Sequence, residues 1–351
     1  MRACKINQLQ GGEILAKTVM TPGYKVLLSD GTVLKKEYIN KLIEFGVLQV
    51  YIMEESDGQE NLLKTELEEE VKEIVKGVLE KHIYNHNKEL AELCKAADEI
   101  INSLVKEEGI AEKIYDIKEG NDDIYEHSIT ICSLSVLVAL KMKLPNERIH
   151  DIGVACLLHD LGIRYIIVDY ENRDINSLPD TKIAEYKKHP IYGYTDLKNE
   201  TWISELSKNI ILLHHEYIDG SGYPLKNMNI PLEARIVIVC EKFDELVCGI
   251  GYRKVKVHEA INHLKKYKDI LYDSAVVDTF LQFIAVYPVG TYVKTNEEEV
   301  GIVVKQNKNF SDRPHIKIIL DKNGDRVWTD IIKDLSKEKN IYVAEVVDMI
   351  Q

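Results

Sequence analysis

Two adjacent histidines followed by an acid, His214-His215-Glu216, form the segment whose residue types best suit chemistry. Imidazole nitrogens and carboxylate oxygens bind divalent cations, so such a cluster is typical of metal ligands. The run from Asp219 to Pro224 comes next, and its two glycines and its proline predict a rigid turn. We therefore expect a metal site with a stiff loop beside it. The alternative is a polar loop that happens to contain two histidines.

A second candidate lies upstream, where the apolar run 155–158 ends in His159-Asp160 and Gly162 follows. Burying an unpaired polar group is costly, so a buried histidine and aspartate need partners. An imidazole and a carboxylate side by side can bind two different cations, and the carboxylate can bridge them. The dipeptide also occurs by chance, and its position at the end of an apolar helix is what gives it weight.

Together these residues resemble the HD-GYP family, a branch of the HD-domain metal-dependent phosphohydrolases. His159-Asp160 matches the HD pair, and Gly222-Tyr223-Pro224 matches the GYP segment. The resemblance covers roughly residues 120–285. Three further elements match in the same order, namely Tyr125 to Ser128, His189-Pro190 with Gly193, and Ala234 to Asp244. Five separated elements in the right order make the resemblance specific.

The resemblance implies a centre of two or three divalent metal ions, with His159 and Asp160 as the catalytic pair. Asp160 would bridge the ions, His127, His159 and Glu241 would hold one of them, and His189, His214 and His215 the other. Mixed imidazole and carboxylate ligands fit iron or manganese, with zinc as the alternative that the ligand types leave open. Asp123, one helical turn before His127, would reach a third ion; the alternative is that it caps the helix.

The resemblance also implies a substrate groove beside the GYP segment. The implied contact residues are Arg164, Asp219, Gly222, Tyr223, Pro224, Arg235, Tyr252 and Arg253, and ordinary packing is the alternative for each of them. Three positions depart from the family pattern: Ile163 replaces a lysine, Ile250 replaces an arginine, and Glu241 replaces an aspartate. Arg164 follows Ile163, but one step along a helix turns a side chain by about 100°.

The implied activity is hydrolysis of cyclic di-GMP to pGpG by a metal-dependent phosphodiesterase, with GMP as the product of a second cut. Two alternatives stay open. The chain could be a catalytically weak or inactive cyclic-dinucleotide sensor or interaction module, which would account for Ile163 and Ile250. It could also hydrolyse another cyclic dinucleotide, which a panel of substrates would reveal.

Composition restricts the partners. The 351 residues include 45 lysines and arginines and 58 acids, a net charge of −13. This acidity argues against a DNA or RNA polymer as partner, since nucleic-acid binding needs a cationic surface. The six cysteines form no CxxC pair, which favours reduced thiols in the cytoplasm. No apolar stretch has transmembrane length and no signal peptide is evident, so we expect no membrane association.

The pattern of residues predicts a mainly α fold. We predict an HD-type helical bundle at 119–286, flanked by a small N-terminal α+β module at 1–58 and a small C-terminal β-rich module at 287–351. A helical connector at 59–118 carries amphipathic stripes. These stripes predict either packing against the chain's own catalytic domain or a homodimer contact.

The pattern also predicts individual helices and strands. In the bundle we expect helices at 131–142, 149–161, 202–215 and 234–248, which carry or adjoin the candidate ligands. In the N-terminal module we expect a helix at 37–45, closed by Gly46, and a strand at 47–52. In the C-terminal module we expect strands near 287–293, 300–304 and 316–320, with a hairpin turn at 321–324.

Overall fold

The computed structural model describes most of the chain, in two compact units formed by residues 1–59 and 60–351. The described residues are 2–6, 9, 11, 13, 15, 19–20, 26–28, 32–45, 47, 49–52, 65–82, 92–106, 124–171, 173–308, 310–327, 329 and 331–347.

The first unit is a small α+β module. Its elements are β1 (Arg2–Lys5), β2 (Val19–Met20), β3 (Val26–Leu28), α1 (Lys36–Glu44) and β4 (Gln49–Ile52). Strand β1 pairs antiparallel with β4, and β2 pairs antiparallel with β3. Leu15, Leu34 and Leu42 are fully or almost fully buried and form its core with residues of β1 and β4. The predicted helix and strand agree with α1 and β4 to within two residues, and Gly46 lies outside the described residues.

Two long helices begin the second unit, α2 (Thr65–His82) and α3 (Glu92–Lys106). Val71 and Val75 of α2 and Leu93 and Ile100 of α3 are completely buried, in the same apolar core as the helices that follow. The described part of the connector therefore packs against its own chain. Residues 59–64, 83–91 and 107–118 of the predicted connector lie outside the described residues.

The helical bundle follows and carries the candidate site. Its helices are α4 (Ile124–Lys141), α5 (Asn146–Leu158), α6 (Asp180–Tyr186), α7 (His189–Leu197), α8 (Glu205–Leu213), α9 (Leu232–Cys248), α10 (Val257–Lys266) and α11 (Ser274–Leu281). Ser204 begins α8 by accepting a hydrogen bond from the Ser207 amide at 2.9 Å. Gly249 ends α9 at φ +86°, a left-handed conformation that glycine adopts without strain. The predicted mainly α fold is confirmed.

Helix α4 has the length and apolar composition of a membrane-spanning helix, so the expectation that no apolar stretch has transmembrane length was wrong; among the described helices it is the one that does. In the structure 67% of this stretch is buried inside the protein. It packs mainly against α5 and α9 and also contacts α2, α3 and α11, so it is a central core helix of the bundle.

The chain ends in a five-stranded antiparallel sheet. Its strands are β5 (Tyr292–Thr295), β6 (Val300–Asn307), β7 (Phe310–Leu320), β8 (Ile332–Asp334) and β9 (Val343–Val346), in the spatial order β8-β7-β6-β5-β9. Val293, Val303 and Ile316 are buried on one face and form a separate small core. The Gly324 amide donates to the Asp321 carbonyl at 3.0 Å, which places a tight turn where the sequence predicts one.

Candidate metal centre

The predicted metal ligands that the structure describes lie together in the bundle, on or beside five different helices. They are His127 on α4, His159 and Asp160 after α5, His189 at the start of α7, His214 and His215 after α8, and Glu241 on α9. None is more than 7% exposed. Asp123, the candidate for a third ion, lies outside the described residues.

Asp160 lies between two groups of imidazoles. Its Oδ2 is 3.3 Å from His159 Nε2 and 3.8 Å from His127 Nε2. Its Oδ1 is 3.4 Å from His189 Nε2 and 3.9 Å from His214 Nε2. Each oxygen of one carboxylate therefore faces a different group, which is the arrangement that a bridging ligand needs.

Glu241 completes the group around His127 and His159. Its Oε1 is 3.2 Å from His127 Nε2, and its Oε2 is 3.2 Å from His159 Nε2. With Asp160 these residues place four potential ligand atoms within 4.8 Å of one another. Asp160, His189, His214 and His215 form a second such set.

Backbone carbonyls fix the orientation of three of the imidazoles. His159 Nδ1 lies 2.6 Å from the Cys156 carbonyl, His189 Nδ1 lies 2.9 Å from the Tyr186 carbonyl, and His214 Nδ1 lies 2.7 Å from the Ile211 carbonyl. A carbonyl only accepts, so each Nδ1 carries a proton, and Nε2 is the ring atom that faces Asp160.

His127 is oriented by a carboxylate instead. Its Nδ1 lies 2.7 Å from Asp244 Oδ2, one turn beyond Glu241 on α9, while its Nε2 faces Glu241 and Asp160. A carboxylate behind a metal-binding histidine is a common device for setting its tautomer and raising its basicity. Asp244 therefore orients a candidate ligand.

Charge divides the centre into two halves. Burial lowers the pKa of His127, but Glu241 and Asp244 outweigh this effect and raise the pKa to about 10. Burial, together with the neighbouring imidazoles His159 and His189, lowers the pKa of His214 to about 3. The half of the centre that contains Glu241 and Asp244 thus attracts a cation, whereas the half that contains His214 offers a neutral imidazole. A metal ion in the acidic half would displace a proton from His127.

Several buried polar atoms of the centre lack hydrogen-bond partners among the described residues. They are His159 Nε2, Asp160 Oδ1 and Glu241 Oε2. His189 Nε2 and His214 Nε2 are 3.1 Å apart, although both Nδ1 atoms carry the protons. Facing lone pairs and unpartnered carboxylate oxygens are unfavourable in a buried site unless a cation lies between them. The donor set therefore fits divalent metal ions.

The GYP segment covers His215. The Tyr223 ring stacks on the His215 ring at a centroid distance of 4.6 Å, and the Tyr223 amide donates to the His215 carbonyl at 3.1 Å. A Cβ on Gly222 would lie 2.5 Å from the Glu216 Cα, so the backbones meet too closely for any other residue. The peptide bond before Pro224 is cis.

Two acids hold this loop. Glu216 is fully buried and accepts hydrogen bonds from the amides of Leu225 at 2.6 Å and Asn227 at 3.1 Å. Asp219 accepts from the Ser221 amide at 2.9 Å and hydroxyl at 2.7 Å, nearer the surface. The loop is thus tied to the histidine pair by Glu216, a role that the sequence alone did not suggest.

A cavity of about 180 Å³ opens beside Asp160. Its wall is largely apolar, with Ile163 buried where the family usually has lysine. Arg164 lines the same cavity, and its Nη2 pairs with Asp196 and donates to the Tyr165 hydroxyl at 3.1 Å. Its Nε and Nη1 have no hydrogen-bond partner among the described residues. Its pairing with Asp196 of α7 thus holds Arg164 on the cavity wall that Asp160 also lines.

The remaining predicted substrate contacts lie elsewhere. Arg235 Nε donates to the Ile230 carbonyl at 2.8 Å and Nη1 to Asp273 at 2.9 Å, so its contacts are within the protein. The Tyr252 hydroxyl accepts from Lys242 at 2.8 Å. Arg253 is exposed, and none of these three residues lines the cavity next to Asp160.

Lys242 and Glu245 on α9 are ionisable residues that the sequence analysis did not single out. Both are buried, they pair with each other, and Glu245 Oε1 lies 3.9 Å from His215 Nδ1. The sequence could have indicated Glu245, because Glu241 and Glu245 are four residues apart and so lie on one face of the helix.

Family models match most of the second unit. A model described as an HD domain matches residues 88–276, and one described as a KOW domain associated with HD domain matches residues 292–351. The first match alone covers more than half of the chain.

Two curated relatives are similar in sequence. A cyclic di-GMP phosphodiesterase of Pseudomonas aeruginosa is 29% identical over 224 residues, which are 63% of this chain and 54% of the relative. A cyclic di-GMP phosphodiesterase response regulator of Xanthomonas campestris is 35% identical over 150 residues, which are 42% of this chain and 39% of the relative. The chain thus spans about half the length of these relatives or less.

A solved structure shares the fold. It is described as an HDG"Y"P protein of Bdellovibrio bacteriovorus. The two superpose over 80% of this chain and 97% of the solved chain, with a TM-score of 0.54 and 18% sequence identity. The family models, the relatives and the HD and GYP residues agree. The chain belongs to the HD-domain family, in its HD-GYP branch.

Proposed function

We propose that this chain is a metal-dependent phosphodiesterase that hydrolyses cyclic di-GMP to pGpG, with GMP as the product of a second cut. The observation that carries the proposal is the position of Asp160. Its carboxylate lies between two groups of histidines and also lines a cavity. A bridging carboxylate on the wall of a cavity is suited to cleaving a phosphodiester with two cations.

The proposed ligands divide into two sets. His127, His159 and Glu241 would hold one divalent ion, and His189, His214 and His215 the other, with Asp160 shared. Mixed nitrogen and oxygen ligands favour iron or manganese as the bound metals. When bound, the ions would supply Lewis acidity, which activates a water molecule and neutralises phosphate charge.

The chain's own residues would bind and orient the substrate. The apolar wall of the cavity suits part of a nucleotide. The two Arg164 donors that have no partner among the described residues suit a phosphate oxygen. Glu216 and Gly222 hold the GYP loop against His215 and so keep this ligand in place. The named activity of the two curated relatives supports cyclic di-GMP as the substrate.

The function is tested by product analysis. Protein purified without oxygen and loaded with iron or manganese should convert cyclic di-GMP to pGpG, which chromatography separates from GMP. Other cyclic dinucleotides, assayed in parallel, should be cleaved more slowly. A variant with His159→Ala and Asp160→Ala serves as the control and should form no product.

Each alternative has its own outcome in that experiment. Binding of cyclic di-GMP without any product would support the cyclic-dinucleotide sensor. The isoleucines at 163 and 250, where the family pattern has a lysine and an arginine, favour this alternative. Faster cleavage of another cyclic dinucleotide would support a hydrolase with different specificity. Either result contradicts the proposed activity.

Arg164 provides a second test. We expect Arg164→Ala to lower kcat/KM for cyclic di-GMP by ~10–100-fold, mainly through KM, because a hydrogen bond to a charged group contributes ~1.5–3 kcal/mol. Initial rates over a range of substrate concentrations measure the change. Arg164→Lys should recover only part of the loss, since lysine lacks the planar guanidinium group.

The matched control for this test is Arg173→Ala. Arg173 is 49% exposed and pairs with Asp169, and it does not line the cavity. Its replacement should leave KM unchanged. An unchanged KM in Arg164→Ala as well would show that this arginine serves only to pair with Asp196.

The environment and partners of the chain are also proposals. All six cysteines are free thiols, which favours a reducing compartment such as the cytoplasm. The net charge of −13 argues against nucleic-acid polymers as partners. A homodimer through the connector would have to use the outer faces of α2 and α3, because their described apolar faces are buried within the same chain.

A further inference from the structure

A buried ion pair lies next to Glu241 on α9. Lys242 is 3% exposed and Glu245 is 1% exposed, and Lys242 Nζ donates to Glu245 Oε2. Removing both charges from water is costly, and well-packed hydrophobic residues are often at least as stable in such places. The pair therefore suggests a role other than stability.

The partners of Lys242 fix Glu245. Besides Glu245, Lys242 Nζ donates to the Tyr252 hydroxyl at 2.8 Å and lies 4.0 Å from the centre of the Tyr252 ring. The ammonium thus holds one oxygen of the Glu245 carboxylate in a defined place. The other oxygen, Oε1, faces His215 Nδ1 at 3.9 Å, which is too long for a hydrogen bond.

The distances suit a shared cation. Ligand atoms of His215, Glu241 and Glu245 all lie within 4.8 Å of one another. Two ligands bound to one ion at about 2.1 Å are separated by roughly 3.4 Å in tetrahedral geometry and by about 4.2 Å when opposite each other. The 3.9 Å between Glu245 and His215 falls in this range. Glu241 Oε2, which is buried, also lacks a hydrogen-bond partner among the described residues.

We propose that Glu245 is an additional metal ligand, which with His215 and Glu241 binds a divalent cation next to the two-ion centre. His215 would then contact both ions through its two ring nitrogens as an imidazolate, with its ring proton released to water. The inference rests on the proposed function, because it takes His215 and Glu241 as metal ligands. Lys242 acts on Glu245 as outer partners commonly act on ligating carboxylates, by holding the oxygen that does not bind the metal.

The charge of Lys242 sets the strength of this site. The ammonium offsets the negative charge of Glu245, so the carboxylate attracts a cation less strongly than an unpaired one would. We therefore expect this ion to bind more weakly than the ions held by Asp160, and a chelator to remove it first.

The test counts bound ions and does not depend on activity. Full-length protein is stripped with a chelator and titrated with Mn²⁺, and electron paramagnetic resonance measures the free ion. At saturation, Glu245→Gln should bind one ion per chain fewer than the unmodified protein. Glu233→Gln is the matched control, because Glu233 is also buried on α9 but pairs with Arg148. It should bind the full number.

A second variant separates ligation from the loss of the ion pair. Lys242→Gln removes the ammonium but leaves the Glu245 carboxylate, and it should keep the additional ion. Loss of that ion in Lys242→Gln, or equal binding by Glu245→Gln and the unmodified protein, would overturn the inference and leave the two-ion centre standing. An unmodified protein that binds no Mn²⁺ would overturn both.

Discussion

Asp160→Asn should abolish hydrolysis of cyclic di-GMP, with a fall in rate of at least ~10³-fold, since loss of a shared metal ligand removes several kcal/mol of transition-state stabilisation. Asparagine has nearly the same shape, so the fold should persist. One oxygen is replaced by an amide nitrogen, which cannot bind a cation, whereas in the native protein each oxygen faces its own group of histidines. Initial rates at saturating metal measure the loss.

The control for this variant is Asp278→Asn. Asp278 is 56% exposed on α11 and pairs with Lys268, away from the candidate ligands. Its rate should match that of the unmodified protein. A tenfold loss of rate corresponds to only a modest rise in the activation free energy. If Asp160→Asn kept more than about a tenth of the activity, the proposal that Asp160 is shared by two ions would be wrong.

Gly162→Ala should lower the midpoint of thermal unfolding by about 5–10 °C and weaken metal binding. A Cβ at residue 162 would lie 2.0 Å from the His189 carbonyl oxygen and 2.7 Å from the Gly193 amide nitrogen. Both are backbone atoms, so no side-chain rotation relieves the clash. Helix α7 would have to move away from the turn after Asp160, and His189 would move with it. Circular dichroism and a metal titration measure the two effects.

The matched control is Gly77→Ala in α2. No atom lies within 4 Å of the position that its Cβ would occupy. Alanine is favoured over glycine inside a helix by roughly 0.5–1 kcal/mol, so this variant should be slightly more stable. If Gly162→Ala unfolded at the same temperature as the unmodified protein, the close contact between the turn and α7 would be contradicted.

Much of the fold could be predicted because local patterns determine it. Helices α4, α5 and α9, which carry or adjoin candidate ligands, are 13 to 18 residues long and largely buried, and the hairpin at 321–324 has turn residues at the expected positions. The behaviour of the connector could not be decided from its stripes. An amphipathic face shows that something covers a helix, but only the tertiary structure shows that the cover is the chain's own core. The boundaries of the four proposed domains stay predictions.

The ligands of the candidate site could be predicted from the sequence, but most of the residues that pair with the site residues could not. His159 and Asp160 form a recognisable pair in sequence, and the structure places them beside Glu241. The partners of Arg164 could not be foreseen, because Asp196 lies 32 residues further along the chain. Lys242 and Glu245 have a spacing that usually indicates an exposed ion pair on a helix, and only their burial reveals otherwise.

The backbone carbonyls behind His159, His189 and His214 have a consequence for metal identity. These rings are held by the ends of helices and need no ion to orient them. The cradle is therefore formed when the chain folds, and ions can enter, leave or exchange without refolding. Affinity alone ranks iron and manganese below the later first-row metals at such sites, so the supply of metal helps to decide which ion is bound. The metal recovered with the protein would then depend on the growth medium as much as on the preference of the site.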